Sequence, residues 1–182
     1  LGYVGGMVDG QVLRHKDGHT FISIHADDLI VCSSCMDKVC KELSEKMKLK
    51  WGDYFNESTW TRYLGWLWRR VDDGFVVRAP EAMFNSIFEL MGMTEAKSCV
   101  TPCASLAELR KEGGELLDER HHSLYRTVVG KLLRLTMYRP DLLFTAKELS
   151  RACHAPTTQS WALLKRAVRY LRGTCDGVMH LK

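Results

Sequence analysis

At 182 residues, with 46% hydrophobic and 26% charged positions, the chain has room for one domain or two small ones and the composition of ordinary globular material, neither disordered nor membrane-embedded. The net charge of +4 hides an asymmetry: residues 1–119 carry 14 Lys/Arg against 19 Asp/Glu (−5), and residues 120–182 carry 12 against 3 (+9). No apolar run approaches the roughly 20 residues of a membrane-spanning helix, and a basic C-terminal part suits a polyanion, the alternative being a solvated helical face.

Residues 1–18 read as the end of a strand and a loop, with Asp9-Gly10 and Asp17-Gly18 as turn signals and a short strand at Val12 and Leu13. The start, Leu1-Gly-Tyr-Val-Gly-Gly6, has no signal-peptide pattern and reads as an internal cut from a longer frame, so an intracellular, reducing setting is expected. From Phe21 to Cys32 two apolar runs flank Asp27-Asp28, which predicts an antiparallel hairpin turning at the two acids. Ser33 or Ser34 can cap a helix from about Met36 to Met47. Trp60–Arg69 and Phe75–Arg78 flank Asp72-Asp73-Gly74 and predict a second hairpin, turning on Asp-Gly. Pro80 opens a helix over 81–91 that stops at Gly92. Residues 106–121, with Gly113-Gly114 and mixed charges, read as a linker.

The last third is predicted to be helical. Ser123 can cap a helix to about Tyr138, Asp141 a second to about Cys153, and Thr157 or Thr158 a third over 159–172, with Pro140, Pro156 and Gly173 as punctuation. In the third helix Leu164, Val168 and Leu171 share one face, while Lys165, Arg166, Arg169 and Arg172 cluster on the other, ready for sequence-independent contacts with phosphates. Trp161 and Tyr170 could stack on bases or complete the core, core being the commoner use. Seven cysteines in no regular framework argue against a disulfide scaffold. Cys32-Ser-Ser-Cys35 has CxxC spacing but no second pair for zinc.

Adjacent carboxylates at a turn are either a solvated turn or hard oxygen donors for a divalent ion. The company they keep bears on the choice. The Asp27-Asp28 hairpin is followed by Tyr63-Leu-Gly-Trp66, Gly92-Met-Thr-Glu-Ala-Lys97 with Val100-Thr-Pro102, Tyr125–Leu133, Arg139-Pro-Asp-Leu142 and Leu164–Thr174. In that order the motifs resemble the polymerase region of copia-type LTR retrotransposons, over about residues 11–182.

The resemblance implies an α+β fragment: a partial palm with the Asp-Asp and primer-grip-like hairpins (1–79), a thumb-like helix (80–105), the linker (106–121) and a basic, helical connection region (122–182). It implies an RNA-directed DNA polymerase using two magnesium ions, or manganese, with Asp27 and Asp28 as metal-binding catalytic carboxylates. His25, Tyr63, Leu64, Gly65 and Trp66 would contact primer or nucleotide, and Lys165, Arg166, Arg169 and Arg172 the nucleic-acid backbone. Gly65, read from its residues alone, is equally a bulge. Implied partners are a template–primer duplex of RNA or DNA, a dNTP, and the rest of a polyprotein with upstream fingers and downstream ribonuclease H. The setting is the cytoplasm or virus-like particles, with no membrane partner and no secretion. His25-Ala26 departs from the family's aromatic-Val pair. The chain by itself is not expected to polymerise, since another metal-binding carboxylate is expected upstream. The alternative is a non-catalytic nucleic-acid-binding module from a decayed element.

Overall fold

In the computed structural model, which describes residues 1–103, 105 and 113–182, the chain is α+β and forms two units, Leu1–Asp53 and Tyr54–Lys182. In the first, alternating residues build an antiparallel meander of β1 (Tyr3–Gly5), β2 (Val12–His15), β3 (Thr20–His25) and β4 (Asp28–Ser33), in that spatial order. Its register sets Leu13, Ile22 and Val31 side by side, with Ile24 opposite Leu29. Helix α1 (Met36–Lys46) lays Val39 and Leu43 on this face, and both are buried there with Ile22. The other face carries Val4, Val12 and Phe21, all exposed. Neither serine caps α1 as expected: Cys35 holds the N-cap without a side-chain bond, and Ser33 Oγ instead accepts from the Cys35 N–H at 3.1 Å.

The second unit has its own four-stranded antiparallel sheet, β5 (Thr61–Tyr63), β6 (Trp66–Val71), β7 (Gly74–Arg78) and β8 (Met179–Leu181). Strand β8, of only three residues, is too short to leave a periodic signal and is absent from the sequence reading. The hairpin expected to turn on Asp73-Gly74 turns one residue earlier, on Asp72-Asp73, with Val71 paired to Gly74. Gly74 serves another purpose. A Cβ there would collide with the Leu181 carbonyl, so its lack of a side chain lets β8 lie against β7.

One face of this sheet joins Trp66 and Val77 to the buried side chains of α2 (Glu81–Met91), α3 (Glu119–Leu135), a 3-10 turn (Pro140–Leu142), α4 (Leu143–Arg151) and α5 (Thr158–Arg172). The second hairpin, grouped with residues 1–79 by the sequence reading, thus shares its core with the helices. Pro80 opens α2, and Gly92 closes it at φ +62°, as its residues predict. Helix α3 begins earlier than expected: Asp118, not Ser123, caps it, its carboxylate accepting from the His121 N–H at 2.8 Å. Thr157 caps α5 in a reciprocal box with Ser160. Of the expected linker, residues 106–112 lie outside those described. Farther on, Glu115 accepts from Thr158 N–H and Leu117 donates to the Pro156 carbonyl, each at 2.9 Å, which ties this segment to the start of α5.

Asp141 does not cap a helix with its side chain. Its carboxylate receives Nε and Nη2 of Arg139 at 2.9 and 2.7 Å and the Tyr170 hydroxyl at 2.8 Å. Arg139, 6% exposed, also donates to the Thr174 carbonyl and hydroxyl, both at 2.7 Å. Burial alone would raise the Asp141 pKa; the Arg139 and Tyr170 hydrogen bonds outweigh it and hold the carboxyl below its usual value. A depressed folded-state pKa contributes stability that is fully present above the unfolded value of about 4 and is lost as pH falls through the folded one. Asp141→Asn is therefore expected to lower the unfolding free energy of the second unit by about 2–3 kcal/mol at neutral pH and to flatten its decline below about pH 4. Urea unfolding followed by tryptophan fluorescence across that pH range measures both.

Candidate functional site

Two hairpin tips carry the residues singled out from the sequence. The first joins β3 to β4. Its turn is Ala26-Asp27, not Asp27-Asp28, because His25 pairs with Asp28. This register matches Ile22 with Val31 and Ile24 with Leu29, and brings Thr20 Oγ1 within 2.9 Å of Ser33 Oγ. The left-handed residue is consequently Ala26 (φ +53°) rather than an acid. Asp28 opens β4 on the face opposite α1, across from His25, while Asp27 stands in the turn itself; all four residues from His25 to Asp28 are exposed. Among the described residues no hydrogen bond or ion pair engages either carboxylate, so both present their acceptor lone pairs. Two free hard-oxygen donors suit Mg2+ or Mn2+ by type, but such ions take about six ligands. Among the described residues no group of three or more His, Cys, Asp or Glu side chains converges.

The second tip is Leu64-Gly65, between β5 and β6. Tyr63 pairs with Trp66, and both turn residues have positive φ, +49° and +82°. This is the sign pattern of a type I′ hairpin turn, so Gly65 is a turn residue and not a bulge. A β-hairpin of this twist normally takes Asn-Gly; Leu in the left-handed region is uncommon and strained. Trp66 is 3% exposed and rests 4.4 Å from the Tyr138 ring. Tyr63 meets Phe55 and Trp68 edge-on, each at 6.4 Å. These aromatics anchor the hairpin and leave the Leu64-Gly65 backbone outward, with the Leu64 side chain 38% exposed. Arg134, on α3, was not among the expected site residues. Its Nη2 lies 3.2 Å from where a Gly65 Cβ would stand. No local pattern could reveal that contact, because the two residues meet only through the packing of helix on sheet.

Among the described residues, Ala26 and Leu64 are the only non-glycine positions with positive φ. Each sits at the tip of one candidate hairpin. Strain of this kind costs of order 1–3 kcal/mol and persists where the surrounding structure over-determines it, commonly at functional sites.

The basic face of α5 is engaged differently. Arg166 Nη2 donates to Thr101 Oγ1 at 2.9 Å, Arg169 Nε to the Lys97 carbonyl at 2.7 Å, and Arg172 Nε to the Thr94 carbonyl at 2.7 Å. Three arginines thereby fasten residues 94–101 to the helix, and Gly173 admits Ser98 where a Cβ would stand only 2.7 Å from it. Lys165 lies 5.9 Å from the Trp161 ring. Trp161 and Tyr170 pack partly buried against the core, as the commoner use of such residues predicts. No helix is long and apolar enough to cross a membrane among the described residues.

Over its whole length the chain is similar to the retrovirus-related Pol polyproteins from transposons RE2 and RE1 of Arabidopsis thaliana, at 27% and 26% identity over 187 aligned positions. It spans 12% of the length of each. A shorter stretch of 50 residues, 28% of this chain, is 40% identical to an uncharacterized mitochondrial protein of the same plant, covering 21% of it. No family model matches, and no solved structure matches significantly. The similarity bears out the sequence-based resemblance to a copia-like retroelement Pol fragment.

If Leu64 holds a strained turn, an Asn there, which tolerates the left-handed region, is expected to raise the unfolding free energy by about 0.5–1 kcal/mol. Comparison of urea midpoints of Leu64→Asn and the unmodified chain measures this.

Proposed function

We propose that this copia-like Pol fragment is a segment of an RNA-directed DNA polymerase, containing the tip that carries two of its metal-binding carboxylates and the turn that meets the primer. The observation that carries the reading is the coincidence of strain and exposure. The two non-glycine residues of positive φ among those described fall at the Asp27-Asp28 and Leu64-Gly65 hairpins, in a chain similar throughout to retroelement Pol polyproteins.

In this reading Asp27 and Asp28 hold Mg2+ or Mn2+ together with a carboxylate from elsewhere in the polyprotein. Bound there, the ions would supply charge neutralisation for attack of a primer 3′-hydroxyl on a dNTP and departure of pyrophosphate. The chain's own part is to present both carboxylates, exposed, at the hairpin tip. The Leu64-Gly65 backbone, bare of a side chain at Gly65, accepts close approach of the primer strand, and Arg134 beside it offers a charge to a phosphate. His25, opposite Asp28, offers its ring to the primer terminus or incoming base. Lys165 and the N–H groups of Arg166, Arg169 and Arg172 not engaged by residues 94–101 add backbone contacts. The partners are then a template–primer duplex, a dNTP and the rest of the polyprotein, in the cytoplasm or virus-like particles. The palm, thumb and connection labels belong to this proposal, as does the view that the fragment by itself does not polymerise.

Mn2+ added to the isotopically labelled chain is expected to broaden amide signals around residues 25–29 selectively. Asp27→Asn with Asp28→Asn should weaken that binding at least about tenfold, since affinity follows the count of charged ligands. In the parent polyprotein the same pair should lower primer extension by about 10²-fold or more. Broadening that is unchanged in the double variant would sink the catalytic reading. It would favour instead a non-catalytic nucleic-acid-binding module, to which the His25-Ala26 departure also points.

A further inference from the structure

We propose that the sheet face of the second unit opposite its core, at Trp60, Arg69 and Arg78, binds the phosphate groups of a polynucleotide backbone. Cross-strand pairing puts Arg62, Leu67 and Arg78 in one row of that face, and Arg69, Val76 and His180 in the next. Trp60 precedes β5, one position beyond the Thr61–Trp68 pair, and so stands beside Arg69. The Arg69 and Arg78 guanidinium carbons lie 4.7 and 4.5 Å from the centre of the Trp60 ring.

Cation–π contact explains why the side chains are held there but not why two like charges are gathered at one ring. Among the described residues no carboxylate pairs with either. Strands β5 to β8 contain no Asp or Glu. The acids nearest in sequence are Asp72 and Asp73 in the β6–β7 turn and Glu81 at the start of α2; Asp73 is held by His180 and Lys182, each at 2.9 Å. Among the described residues neither Arg69 nor Arg78 forms an ion pair, and the Nε atom of each is buried without a hydrogen-bond partner. The Nε of Arg166 on α5 is likewise unpartnered, but each of the three arginines of α5 donates at least one hydrogen bond to an oxygen of the chain. Unpaired guanidinium forks, oriented by an aromatic ring and flanked by the exposed Arg62 and His180, match an oxyanion able to accept several N–H groups at once. The inference rests on the Pol reading only in choosing a polynucleotide as the source of that phosphate, which a nucleoside triphosphate could also supply.

The Nε–Hε resonances of Arg69 and Arg78 in the labelled full-length chain report on the site without any mutation. A short DNA–RNA duplex is expected to shift both, while the same sequence with an uncharged methylphosphonate backbone shifts neither. Arg69→Gln with Arg78→Gln, checked by near-ultraviolet circular dichroism against the unmodified chain, is expected to weaken duplex binding roughly tenfold at low salt and to reduce the log–log salt slope by about 2. Unshifted resonances, or an unchanged slope in a folded variant, overturn the proposal. A response to dGTP equal to that of the duplex at matched phosphate concentration also overturns it, by reassigning the site to free nucleotides. The catalytic reading fails separately: Mn2+ broadening at residues 25–29 that persists unchanged in the Asp27→Asn/Asp28→Asn variant, with the arginine shifts intact, removes that reading and leaves this one standing.

Discussion

A guanidinium taken out of water must find acceptors or destabilise the fold around it, and Arg139 is buried where three segments of the second unit meet. Its fork is matched by Asp141 on one side and by Thr174 on the other, and Asp141 is shared with Tyr170 of α5. The Arg139-Pro140-Asp141 run thus joins the end of α3 and the start of α4 to the chain just past α5. The same stretch then leads to β8, which completes the sheet beside β7. Position in this unit therefore depends on a charge pair made between residues two apart in sequence. The partners that complete the pair come from much later in the chain.

Arginines in the second unit meet three different environments. Arg139 is buried and fully matched. Arg166, Arg169 and Arg172 reach oxygen atoms of residues 94–101 and hold that strap on α5. Arg69 and Arg78 gather around an indole and form no ion pair among the described residues. Net charge cannot separate these cases, because it counts all of them alike. What separates them is whether acceptors stand nearby: Arg169 and Arg172 meet strap carbonyls, Arg166 the Thr101 hydroxyl and Arg139 a carboxylate, whereas a sheet uses its own carbonyls in the ladder.

The two candidate hairpins share a construction. In each, inward aliphatic or aromatic pairs on the flanking strands set the register, and that register forces a residue ill suited to positive φ into the first turn position. At the first tip this leaves Asp27 in the turn and Asp28 on the strand, so two adjacent acids point from different backbone settings. At the second, it leaves a glycine backbone beside Arg134.

Sequence by itself determined the elements whose signals are local. These are the Asp-Asp hairpin from its flanking apolar runs, α2 from Pro80 and Gly92, and α5 from a cap at Thr157 or Thr158 and its amphipathic period. The resemblance of the whole chain to a retroelement Pol region was legible there too, because ordered motifs survive where no single one is specific. Tertiary structure decided what depends on partners distant in the chain. It moved both turns by one residue, since register follows cross-strand packing rather than turn chemistry. It withdrew Asp141 from capping, since a buried guanidinium binds a carboxylate more strongly than a helix end does. It revealed β8, the strap held by α5 and the Trp60 cluster, because three-residue strands and side-chain convergence leave no period to read.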